Sequence, residues 1–153
     1  EAPTLEEARD AMSRYPCYEG HVFPSCFVCG PGRPAHDGLG IFPGPVEDWN
    51  LLASAWKPDK DLLDGAGRVK PEIVWSALDC PGYFACMGKQ PRPAVLGELQ
   101  LKMLGNVPGD EALVVFAWPL GQDGRKLYGG TALATAGGTV LACARSTWIL
   151  LKT

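Results

Sequence analysis

The chain has 153 residues, the size of one domain, and this length buries a core without covalent staples. Hydrophobic residues make up 46% and charged residues 20%, which excludes intrinsic disorder. The net charge is −3, the lysines and arginines are scattered, and no apolar run is long enough for a bilayer, so neither a nucleic-acid footprint nor a membrane span is expected.

Residues 4–14 predict a short helix. Thr4 can cap it and Glu7, three residues on, completes a capping box. Leu5, Ala8 and Met12 share one face, and Pro16 ends the element. Residues 1–10 are acidic and polar and do not read as a secretory leader. Residues 15–45 are punctuated by Gly and Pro and predict an irregular segment with one extended piece at 38–42. This divides the chain into a lead-in, 1–37, and a main domain, 38–153.

Residues 51–56 read as a strand and 59–69 as a polar connection. Pro71 then opens a helix, a position where its missing N–H costs nothing, and Glu72 suits the first turn. Ile73, Val74, Trp75, Ala77, Leu78 and Phe84 make this helix apolar nearly all round, the mark of a buried helix. Extended segments follow at 94–104, 111–120, 126–136 and 139–151, separated by turn residues at 105–110, 121–124 and 137–138. Leu99, Leu101 and Met103 alternate with polar residues, predicting a strand with one buried face. The expected class is α+β: an antiparallel sheet against one central helix.

Asp79 lies on that helix between Leu78 and Cys80, where a carboxylate needs a reason to exist. It is either a general base or nucleophile, or an aspartate that caps the break expected at Pro81-Gly82. Ser76, three residues earlier, shares its face and either orients water or bonds back to its own helix. Tyr83 follows four residues later, facing the same space or the core.

The six cysteines, at 17, 26, 29, 80, 86 and 143, read as reduced thiols in a cytoplasmic protein, since a domain of this size needs no cross-links. Cys80, Cys86 and Cys143 lie in apolar runs and read as packed core. Cys26-Phe27-Val28-Cys29-Gly30 forms a CxxC knuckle with Cys17, His21 and His36 nearby. A tight turn with packed thiols is the preferred reading, with no metal or cofactor. The competing reading is tetrahedral zinc, with Cys17, Cys26, Cys29 and His36 as candidate ligands and the lead-in as a partner-docking element.

Three motifs resemble the hotdog superfamily of acyl-CoA thioesterases, the phenylacetate-pathway type in particular. They are Val74-Trp75-Ser76-Ala77-Leu78-Asp79, then Gly97 to Met103 followed by Val107-Pro108-Gly109-Asp110-Glu111, then Arg125 to Ala132 with the return from Ala136 to Ala144. The resemblance spans residues 38–151. It implies a curled sheet wrapped around the central helix, no cofactor, an acyl-CoA or acyl-carrier thioester as partner, and a homodimer or homotetramer. It implies catalysis by Asp79, assisted by Ser76 and by a backbone N–H at Ile73 or Val74 as oxyanion donor. Glu72, Tyr83, Gly130 and Thr131 would face the substrate, with Arg125, Lys126 and Arg145 available for CoA phosphates. The family enters its helix through a His-Gly-Gly motif; here Lys70, Pro71 and Glu72 stand at those positions. A non-catalytic hotdog protein that binds an acyl group or acyl-CoA is the alternative expectation.

Overall fold

The computed structural model describes residues 1–152. Helix α1, Leu5–Met12, starts as its sequence requires: the Glu7 N–H donates to Thr4 Oγ1 and the Thr4 N–H donates to the Glu7 carboxylate. Six strands follow: β1 Gly44–Pro45, β2 Leu52–Trp56, β3 Ala94–Met103, β4 Leu113–Asp123, β5 Lys126–Thr135 and β6 Val140–Leu150. They form one antiparallel sheet in the order β1-β2-β4-β5-β6-β3. Between β2 and β3 the chain forms α2, Pro71–Ala77, and α3, Cys80–Met87.

The sheet curls around α2 and α3. Val74, Ala77, Leu78 and Phe84 from the helices pack with Leu52, Leu113, Val115, Leu133 and Ala142 from the strands. Tyr15, Cys17, Val28 and Cys29 of the lead-in belong to the same core. The opposite face of the sheet is covered by α1, where Ala8 and Ala11 lie against Ala53, Val114, Phe116 and Ala132. The alternation of apolar residues along β4 and β5 serves both cores, which is why these central strands carry few polar residues.

Two positions require glycine for the helix to sit this deep. A Cβ on Gly82 would lie 2.4 Å from Ser146 Oγ, and one on Gly129 would lie 2.8 Å from the Gly82 carbonyl oxygen. Helix α3 and strand β5 thus touch backbone to backbone.

The break expected at Pro81-Gly82 divides the central helix in two, because Pro81 cannot donate to the carbonyl four residues back and its ring crowds that turn. Other expectations need correction. The extended piece at 38–42 is not a strand of the sheet. The Leu39 and Ile41 N–H groups donate instead to the Phe27 and Val28 carbonyls of the CxxC knuckle, at 2.8 and 3.0 Å. In β3, Leu99 and Leu101 pack on the core, whereas Met103 is 39% exposed, because this strand is the sheet edge.

Candidate active site and thiol cluster

The site grows from the break between α2 and α3. The Gly82 N–H bonds to the Asp79 carbonyl at 3.2 Å, so the Leu78 carbonyl loses its helical partner. The buried Thr131 hydroxyl of β5 takes that carbonyl at 2.9 Å. This bond pins the break to the sheet, and Asp79 is held as the residue immediately before α3.

Asp79 lines a cavity of about 300 Å³. Tyr83 and Phe84 of α3, Trp148 of β6, Val95 and Leu96 of β3, and Cys17 and His21 of the lead-in share the lining. The wall is largely apolar, which suits an acyl chain better than a polar group. Burial raises the Asp79 carboxyl to about 6, and the charge of the nearby Cys26 thiolate adds to the effect. A larger recess of about 660 Å³, lined by Phe27, Arg33, His36 and Lys57 among others, contains none of the predicted catalytic residues.

Tyr83 does join Asp79 at the cavity, with its hydroxyl donating to the Arg92 carbonyl at 2.7 Å. The other predicted residues lie elsewhere. The Ser76 hydroxyl donates to the Glu72 carbonyl at 2.9 Å, the back-bonding choice open to a helical serine. Glu72 is exposed at the start of α2. The Ile73 and Val74 N–H groups both donate to the Lys70 carbonyl, at 3.0 and 3.2 Å, so neither is the free oxyanion donor expected there. Thr131 serves the helix break, and the space beside Gly130 is filled by the Trp118 ring, 2.3 Å from where a Cβ would stand.

The second feature of the cavity wall is a cluster of thiols. Cys26 Sγ lies 3.5 Å from Cys29 Sγ and 3.7 Å from Cys80 Sγ, and all three sulfurs lie within 4.8 Å of one another. His21 Nε2 lies 3.3 Å from Cys29 Sγ. Hydrogen bonds from the Cys29 and Cys80 thiols, helped by the Cys29 and Val28 backbone N–H groups, hold the Cys26 thiol well below its usual range; burial opposes them. Cys29 is pushed up to about 12 as donor to Cys26, and Cys80 is raised for the same reason. The cluster can therefore carry a thiolate in a partly buried wall, which is the state that binds soft metals.

This is not the ligand set read from the sequence. His36 stands apart, exposed and 2.9 Å from Asp59. Cys17 lines the cavity outside the cluster. Cys80 packs against the core, as its apolar run implies, and the tertiary fold also brings it across 54 positions to Cys26.

The sheet and the helix pair in its curl define a hotdog fold, with a carboxylate at the helix break facing an apolar cavity. Solved structures share the fold. A thioesterase superfamily protein matches with a TM-score of 0.71 at 17% identity; the match covers 81% of this chain and 62% of that one, less than two thirds of its length. The E. coli PaaI protein from the phenylacetic acid degradation operon matches with a TM-score of 0.65 at 16% identity, over 74% of this chain and 81% of that one. A hypothetical thioesterase protein with coenzyme A from Streptococcus pneumoniae TIGR4 matches with a TM-score of 0.62 at 12% identity, over 68% and 83%. No family model matches the sequence, and no curated protein does.

Proposed function

We propose that this chain hydrolyses a thioester of CoA or of an acyl carrier, with Asp79 activating water or attacking the carbonyl. The observation that supports it best is the placement of Asp79: a half-buried carboxylate at the mouth of a helix break, lining an apolar cavity, in a fold whose solved neighbours include a hypothetical thioesterase protein with coenzyme A. The cavity takes the acyl chain, and the carboxylate faces the thioester end. Residues Arg125 and Lys126 serve the phosphate end of CoA, whereas Arg145 stacks on the Tyr128 ring. The protein works as a homodimer or dimer of dimers. Strand β3 is ten residues long, pairs among the described residues only with β6, and exposes Val95, Leu96 and Met103. Such an edge needs a cover, and a second copy laid along it extends the wall that Val95 and Leu96 already give the cavity. Six free thiols support a reducing, cytoplasmic setting. No helix among the described residues is long and apolar enough to cross a membrane.

The non-catalytic alternative keeps one specific support. Pro71 has no N–H, and the Ile73 and Val74 N–H groups are occupied, so the start of α2 offers no polarising donor at those positions. A panel of acyl-CoAs separates the two readings, with CoA release followed by chromatography because six protein thiols would react with a thiol reagent. The enzyme turns over at least one thioester, and Asp79→Asn lowers kcat/KM by about 10²-fold or more, the weight of a general base. Equal turnover by both forms removes Asp79 from the reaction. Saturable binding without turnover by the unsubstituted protein selects the binder.

A further inference from the structure

The thiol cluster has no part in that hydrolysis. We propose that Cys26, Cys29 and Cys80 bind one zinc ion, with His21 as the fourth ligand, and that the ion clamps the lead-in segment to the start of α3.

The spacing is the first support. With zinc–sulfur bonds of about 2.3 Å, tetrahedral geometry places two sulfurs about 3.8 Å apart. The Cys26–Cys29 and Cys26–Cys80 separations are 3.5 and 3.7 Å, and the third lies within 4.8 Å. Bringing three thiols of two distant segments to this spacing is not what packing small apolar groups requires. The local backbone is the second support. The Gly30 N–H bonds to the Cys26 carbonyl at 2.9 Å, and a Cβ at Gly30 would lie 2.4 Å from the Cys26 nitrogen. The knuckle therefore closes only with glycine there, holding both of its sulfurs toward α3.

His21 completes the set. Its Nε2 lies 3.3 Å from Cys29 Sγ, close enough for both to reach one ion. His21 Nδ1 accepts the Phe23 N–H at 2.9 Å, so the neutral ring carries its proton on Nε2. Ligation through Nε2 moves that proton to Nδ1 and turns the Phe23 N–H away. The protons still held on the Cys29 and Cys80 thiols leave to solvent, and the site becomes three thiolates, one neutral imidazole and Zn²⁺, with a net charge of −1. Mixed sulfur and nitrogen donors in a tetrahedron select zinc over harder ions.

The clamp joins residues 21–29 to Cys80, the neighbour of Asp79, so the ion stiffens the wall beside the carboxylate without touching the thioester. Metal analysis of the full chain, purified under reductant and without chelator, should find about one zinc per chain. Titration of the metal-free reduced protein with Co²⁺ should give thiolate-to-cobalt charge-transfer absorption and tetrahedral d–d bands. Cys26→Ser and Cys80→Ser should each lower bound zinc to below about a tenth of an equivalent, whereas Cys143→Ser, on the opposite face of the sheet, should keep it. His21→Ala should retain cobalt binding but lose its bands to a chelator sooner. If the cysteine variants fail to fold, the cobalt spectrum of the unsubstituted protein still decides. Absence of zinc together with absence of cobalt bands overturns the proposal. So does cobalt binding that survives Cys80→Ser unchanged.

Discussion

The sheet and the lead-in meet in one core, yet they are held by different physics. The sheet, with α2 and α3 in its curl, rests on ladders of backbone hydrogen bonds and on buried Leu, Val and Ala. Residues 13–43 form no helix or strand. They are held by single contacts: the Tyr15 hydroxyl on the Cys29 carbonyl at 2.8 Å, the Leu39 and Ile41 pairings with the knuckle, and thiols on Cys80. A segment without secondary structure can be as buried as a strand if its backbone groups find partners one by one. The cost is that each partner matters individually, which makes the lead-in the part of the site wall that a few changes can release.

The largest expected effect strikes where the two regions meet. The Phe84 ring is 1% exposed, with the Tyr15 and Tyr83 rings both 5.0 Å away. Phe84→Ala should cost about 3–5 kcal/mol, read from the urea midpoint, because it removes a large buried ring and leaves a cavity. Both regions should loosen together in hydrogen exchange. Loss confined to the lead-in would break the picture of a shared core.

A smaller change should separate the regions. Tyr15→Phe removes only a hydroxyl, but it leaves the Cys29 carbonyl in a buried place without its donor. The expected cost is about 1–2 kcal/mol. Exchange should rise for the Leu39 and Ile41 amides, which hang on the knuckle, while the β4 and β5 amides keep their protection. Equal loss of protection in the sheet would show that the knuckle supports more than itself.

The same contrast governs what was legible in the sequence. Strands β3 to β6 were readable because alternation and turn residues are local signals, and their ends moved by only a few residues. The break at Pro81 was readable because proline acts on its own backbone. Cys80 as a member of the thiol cluster was not readable, since its neighbours in sequence are apolar and its partners are 54 positions away. The zinc set of Cys17 and His36 with the knuckle failed for the same reason: nearness in sequence says little inside an irregular segment. Asp79 stands out in the sequence through the resemblance, and its place between two helices follows from Pro81. Ile73 and Val74 misled because a helix start offers free N–H groups in general, while here the Lys70 carbonyl takes both.

The smallest effect should come from α1, which opens the lead-in before the irregular residues 13–43 yet behaves like the regular region. Its start is secured by the Thr4–Glu7 box and its buried face by Ala8 and Ala11 against the outer side of the sheet. Thr4→Ala removes one cap acceptor and should cost about 1 kcal/mol. Because the sheet rather than the cap holds α1 in place, the loss should appear as fraying of its first turn. Backbone amide exchange should quicken at Glu7, whose N–H loses Thr4 Oγ1, and stay unchanged at Leu39 and Ile41. If the knuckle amides respond as well, α1 and residues 13–43 form one unit, and the division between ladder-held and singly held regions runs after residue 43 rather than on both sides of residues 13–43.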